Sequence, residues 1–178
     1  YEMAFIPHNQ ASFGDWHLAG RHIRDWTPDE LRRFCDQYNV GWAITWSRAS
    51  PLKQGQDRGM PLSTEIFASV SFCEPIGRIR RHTTRGDENE YTIFRIDREH
   101  SYFARGRGRV ERVDYNRIEL ANLEPEAGEL VLRYHWQEGL RSDPPLPIEQ
   151  AITPGDPIGF IRIKRAEPLS RLVIVNGY

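Results

Sequence analysis

The second half of the chain constrains it most. Five segments there read as short strands: "GRVERVDY", "NRIELANL", "ELVLRYHW", "IGFIRIKR" and "RLVIVNGY". Turn signals separate them, at Tyr115-Asn116, Pro125 to Gly128, Ser142 to Pro147 and Pro154 to Pro157. A short strand cannot bury its apolar face alone, so strands at this spacing are expected to pair antiparallel and close on one another as a β-sandwich, jelly-roll-like in outline. The character of the chain changes after Tyr102, which places a join near Ser101. The expected fold class is α+β. Residues 1–100 form a small α/β unit with a hairpin, packed on an antiparallel β-sandwich of residues 101–178.

The first half is less regular. "YEMAFIPHNQASFGDWHLAGRH" shows no clear period and reads as an irregular packed segment. "DWTPDELRRFCDQYN" is the sharpest local signal in the chain. Thr27 is an N-cap, Pro28 suits the first helical position, and Glu30 closes a capping box. Trp26 and Leu31 occupy the staple positions. Leu31, Phe34 and Tyr38 make one apolar face, and Asn39 ends the helix. "VGWAITWS" (Val40 to Ser47) follows as a strand too densely apolar for an exposed edge. Ser50 to Ser63 reads as loop, "STEIFASVSF" as a short helix capped by Ser63, and "GRIRRHTT" with "EYTIFRID" as a hairpin across "RGDEN".

Composition narrows the function classes. A hydrophobic share of 39% and an aromatic share of 11% suit a packed core. The formal charge of -1 supplies no field toward nucleic acid, and none is expected as a partner. The cations are nearly all arginine, Lys53 and Lys164 being the only lysines. Cys35 and Cys73, with no CxxC between them, are expected as two buried thiols, a single disulfide being the other arrangement. There is no run of about 18 apolar residues of the kind that spans a membrane. The chain opens at Tyr1 without an initiator Met, which reads as an excised piece or a processed product.

Candidate chemistry gathers in "LVLRYHWQEGLRSDPPLPIEQ". On a strand from Gly128 to Trp136, Leu130, Leu132, Tyr134 and Trp136 share one face, and Val131, Arg133 and His135 the other. Trp136 then closes the core, while His135, Glu138, Arg141 and Asp143 lie near a loop mouth. Solvated loop polarity is the plain account of them, and a ligand-binding rim is the sharper one. Glu138 and Asp143 also make an acid pair of the kind used in glycoside hydrolysis. Asp15, His17, His22 and Asp25 form a second polar cluster. Its His-x4-His spacing is not that of a helical zinc site, and no metal is expected there. Trp16, beside Asp15, is a candidate sugar platform. Arg85-Gly86-Asp87 is an ordinary turn sequence at a hairpin tip. "ARGRGRVER" lacks the Lys-Ser/Thr end of a P-loop, and no Gly-x-Ser-x-Gly appears. No catalytic residue and no cofactor are expected.

Three stretches together resemble a known group. "YNVGWAITWS", "YTIFRIDREHSYF" and "YNRIELANLEPEAGELVLRYHWQEGLRSDP" are similar to segments in the extracytoplasmic C-terminal regions of large multi-spanning bacterial membrane proteins. These are the GT-C glycosyltransferase-like proteins and the 6-pyruvoyl-tetrahydropterin-synthase-related membrane proteins. The likeness runs from about Tyr38 to Val175 and lies in strand patterns, with Leu140 where those proteins usually carry a second Trp. It implies a noncatalytic accessory domain on the extracytoplasmic face of a bacterial membrane, attached to an upstream membrane-embedded region, that binds glycan or a polyprenyl-linked sugar or supports its parent transferase. A carbohydrate-active hydrolase and an arginine-rich protein-interaction module are the competing classes.

Overall fold

The computed structural model describes residues 17–18, 21–48, 62–82, 88–165 and 167–177. The chain divides into two compact units, Tyr1–His100 and Ser101–Tyr178. Trp16, Asp15, the Arg85-Gly86-Asp87 tip and most of the Ser50 to Ser63 stretch lie outside the described residues.

In the first unit, β1 (His17–Leu18) and β2 (Arg21–His22) pair as a minimal hairpin before a 3-10 turn, Ile23–Asp25. Helix α1 (Pro28–Gln37) begins as its sequence dictates. The Glu30 N–H donates to the Thr27 hydroxyl at 3.3 Å, and the Thr27 N–H donates back to the Glu30 carboxylate at 2.8 Å. Trp26 meets Phe34 edge-on, ring centroids 5.4 Å apart. The helix ends at Tyr38, and Asn39 turns the chain with φ 55°.

Strand β3 (Trp42–Arg48), helix α2 (Leu62–Ser69), β4 (Cys73–His82) and β5 (Glu88–Ile96) complete the unit. Ser63 falls inside α2, one residue after its start. The strands make an antiparallel sheet in the order β3-β5-β4. Leu31 and Cys35 of α1, Val70, Cys73, Phe94 and Ile96 form its core, with Ile66 and Phe67 of α2 against them. The expectation for the Val40 to Ser47 run needs correcting. β3 is an edge strand, with Ala43 and Thr45 turned to the core while Trp42 and Ile44 are exposed. The run is an alternating strand whose outward positions happen to be apolar.

The second unit is β-sandwich-like and antiparallel throughout. It comprises β6 (Phe103–Arg105), β7 (Arg107–Asp114), β8 (Arg117–Glu124), β9 (Glu129–His135), β10 (Leu140–Asp143), β11 (Ile148–Thr153), β12 (Asp156–Lys164) and β13 (Leu169–Asn176). One sheet runs β10-β13-β8-β7 and the other β11-β12-β9-β6. The hairpins β7–β8 and β11–β12 stay within a sheet, and the other connections change sheet. Leu120, Leu123, Leu172 and Ile174 of the first sheet are buried, as are Leu130, Leu132, Ile161 and Ile163 of the second. Each such side chain contributes roughly 1.5–3 kcal/mol by leaving water. The outward positions carry charge, so each sheet is apolar on one side and polar on the other.

Candidate functional site

His135 is the last residue of β9, and its neighbour across the ladder is Phe160 of β12. The register slips between Phe160 and Ile161, so β9 takes up extra residues at its end. His135 Nε2 lies 3.0 Å from Asp156 Oδ2 and its ring stacks on Phe160. The Asp156 side chain is 1% exposed. Its other oxygen accepts the N–H groups of Ile158 at 2.8 Å and Gly159 at 3.2 Å. A buried carboxylate must be satisfied on both oxygens, and this one is.

Gly159 serves the same knot from the backbone. It holds φ +68°, and a Cβ there would stand 2.4 Å from the Ala151 carbonyl oxygen. Its own carbonyl accepts the Trp136 N–H at 3.1 Å. The group therefore locks the return of the β11–β12 hairpin to the end of β9. His135 is placed by a structural carboxylate, Asp156, with the stacked Phe160 beside it.

The remaining predicted residues fall on the connection that follows. Trp136 lies just past the strand and is only partly buried, so it does not close the core as expected; Leu130, Leu132 and Tyr134 do that. Glu138 is exposed in the turn before β10. Arg141 and Asp143 are exposed at alternate positions of β10, facing Val175 and Val173 of β13 in register. Alternate positions share a face, so the guanidinium and the carboxylate project from one side of an edge strand. Ser142 between them turns the other way. Its hydroxyl accepts the Leu146 N–H at 2.9 Å and donates to the Leu146 carbonyl at 3.3 Å, closing the Pro144-Pro145 loop. The structure thus groups Arg141 and Asp143 on a closed, proline-stiffened rim and assigns His135 to a different partner.

Two polar centres were not anticipated. Asp156 sits in "PGDP", which reads as a turn; only its burial reveals its role. Arg98, in the first unit, has a side chain 4% exposed. It donates to Asp36 Oδ1 at 3.1 Å, to Asn39 Oδ1 at 2.5 Å and to the Asp36 carbonyl at 3.4 Å. It therefore places a cation where the C-terminal end of α1 presents carbonyl oxygens.

The arginine-rich strands are neutralised locally. Arg107 pairs with Glu124, Arg109 with Glu111 and Arg112 with Asp114. Glu119 takes Arg171 at 3.0 Å and Arg117 at 2.8 Å, and these partners, Arg171 first, hold its carboxyl below the usual range. On the other sheet Arg105 and Arg162 share Glu129, and Lys164 pairs with Glu149. Cys35 and Cys73 are free and buried, and burial pushes the thiols up to about 12 and about 11 respectively. Of the Asp15, His17, His22 and Asp25 cluster, His22 accepts the Arg24 N–H through Nδ1 at 3.2 Å and so caps the 3-10 turn. No group of three or more potential metal ligands occurs among the described residues. Comparison with known protein families, curated proteins and solved structures gives no match to this chain.

Proposed function

We propose that the chain is a noncatalytic, extracytoplasmic accessory domain of a glycosyltransferase-like membrane protein, and that it binds a glycan or polyprenyl-linked sugar at the rim formed by Arg141 and Asp143. The observation that carries this reading is the rim itself: a cation and an anion, both exposed, projecting from one side of β10 beside a loop closed by Ser142. Sugar hydroxyls need planar donors and acceptors side by side, and a guanidinium with a carboxylate supplies both. A loop already closed loses little freedom when a ligand orders it. The likeness in strand pattern to extracytoplasmic regions of GT-C-type proteins supports the cellular setting. Glu138, exposed in the turn before β10, is a further acceptor for this reading.

The hydrolase alternative draws less support. Acid-pair hydrolysis needs two carboxyls about 5–9.5 Å apart across a substrate. Glu138 and Asp143 sit on an open turn and an exposed edge strand, and His135 is held by Asp156.

A glycan array, followed by titration with polyprenyl-phosphate sugars, tests the proposal. Wild-type protein is expected to bind a saccharide, and Arg141→Ala and Asp143→Ala to weaken it by at least about tenfold with unchanged circular dichroism. Absence of binding at millimolar ligand would sink the rim as a site. The hydropathy of the intact reading frame checks the membrane setting separately.

A further inference from the structure

Nearly every charge of the second unit is matched within it. Ten of its residues are arginines. Nine pair with a carboxylate or, in the case of Arg133, donate to backbone carbonyls. Arg141 has neither kind of partner among the described residues. Glu138 and Asp143 likewise receive no donor there. The uncompensated charges of this unit thus fall together, on the short connection and strand that carry the rim.

Spacing along the strand does not explain the gap. Arg109–Glu111, Arg112–Asp114 and Arg117–Glu119 also stand two residues apart, and each closes into an ion pair. Arg141 is drawn the other way. A Cβ on Gly177 would stand 3.4 Å from its Cδ and 3.0 Å from its Nε. The side chain therefore leans along β13 toward Gly177, whereas Asp143 faces Val173. Cation and anion are parted by roughly 7–13 Å, the rise of two to four strand residues. The planar fork of Arg141 keeps its donors available in a unit where every other arginine has used some.

Taking the rim as the sugar site proposed above, we infer that its ligand is an acidic oligosaccharide, with the ring carboxylate of one sugar on Arg141 and hydroxyls of a linked sugar on Asp143. A guanidinium takes a carboxylate through two parallel N–H donors. An ionised Asp143 accepts only, so it takes hydroxyls. One sugar ring is too narrow for the gap, and two linked rings fill it. Phosphate is the other anion that suits an arginine. A terminal phosphate, however, carries about −1.5 to −2 at pH 7. Glu138 and Asp143, before and after Arg141 in the chain, add two charges of the same sign. A singly charged carboxylate meets less of that repulsion.

Calorimetric titration of the full chain tests this with matched disaccharides, gluco-, galacto- and manno-configured, each as neutral sugar, uronate and anomeric phosphate. At least one uronate disaccharide is expected to bind about tenfold or more tightly than its neutral and phosphate counterparts and than its own monosaccharide. Arg141→Gln removes the preference for the uronate. Arg141→Gln and Asp143→Asn also keep the wild-type thermal midpoint, since neither loses a partner within the fold. A uronate bound no better than its neutral counterpart overturns the inference and leaves the rim standing as a sugar site. Absence of binding by every disaccharide removes both. An anomeric phosphate that matches the uronate overturns the inference by naming another anion. A lower midpoint in Arg141→Gln does so by revealing an internal partner.

Discussion

Thr27 and Glu30 close the first turn of α1 on each other, and Arg21 reaches in to the same carboxylate at 2.8 Å. Removing the Thr27 hydroxyl by Thr27→Ala is expected to cost about 1 kcal/mol, read from urea melts. The Glu30 carboxyl is lowered from 4.5 to about 2, first by Arg21 and then by the Thr27 N–H and hydroxyl. A group held more acidic in the folded state stabilises it fully above about pH 4.5, and that contribution is lost as pH falls toward about 2. The melting midpoint of wild type should therefore fall more steeply than that of Glu30→Gln between about pH 5 and pH 2; parallel curves would show the pairing to be inert. Such local chemistry was legible, because a capping box involves neighbours three residues apart. The His135–Asp156 contact was not, since 21 residues separate the partners and only the returning hairpin joins them. Asp156→Ala leaves the Ile158 and Gly159 N–H groups and the His135 ring without their acceptor. It should lower stability by about 2–3 kcal/mol, with Asp156→Asn milder because one oxygen remains.

Alternation carried the strands it could carry. β7, β8, β9, β12 and β13 fall within two residues or so of the segments that announce them, because each runs seven residues or more, and all but β7 have a buried side. β6 and β10 escaped notice for want of length, at three and four residues. β11, "IEQAIT", mixes a buried Ala151 with an exposed Ile152 and so hides its inward face. For β3 the pattern was misread in the other direction: apolar residues on both faces looked like burial, and one of those faces is open. A strand's neighbours, which no single sequence displays, decide that distinction. The rim shows the same division. Arg141 and Asp143 stood out as polar residues beside prolines, but their common face depended on β10 being a strand at all.

Each unit has its own buried residues and its own complete set of strand pairings. Residues 101–178 alone are therefore expected to fold, giving a cooperative urea transition and dispersed amide resonances; a fragment that stays unfolded would show that the first unit is required. Folding of that half must choose one pairing of β7 with β8 among several that differ by two residues and keep the same faces inward. The charges on the outer side make the choice. In the native pairing Arg107 lies opposite Glu124, Arg112 opposite Glu119 and Asp114 opposite Arg117. Slide β7 by two residues one way and Arg112 meets Arg117; slide it the other way and Asp114 meets Glu119. Like charges directly opposite repel on a sheet. The ladder thus works as a checksum on the strand alignment, rejecting both nearest errors while adding little to the stability of the correct one.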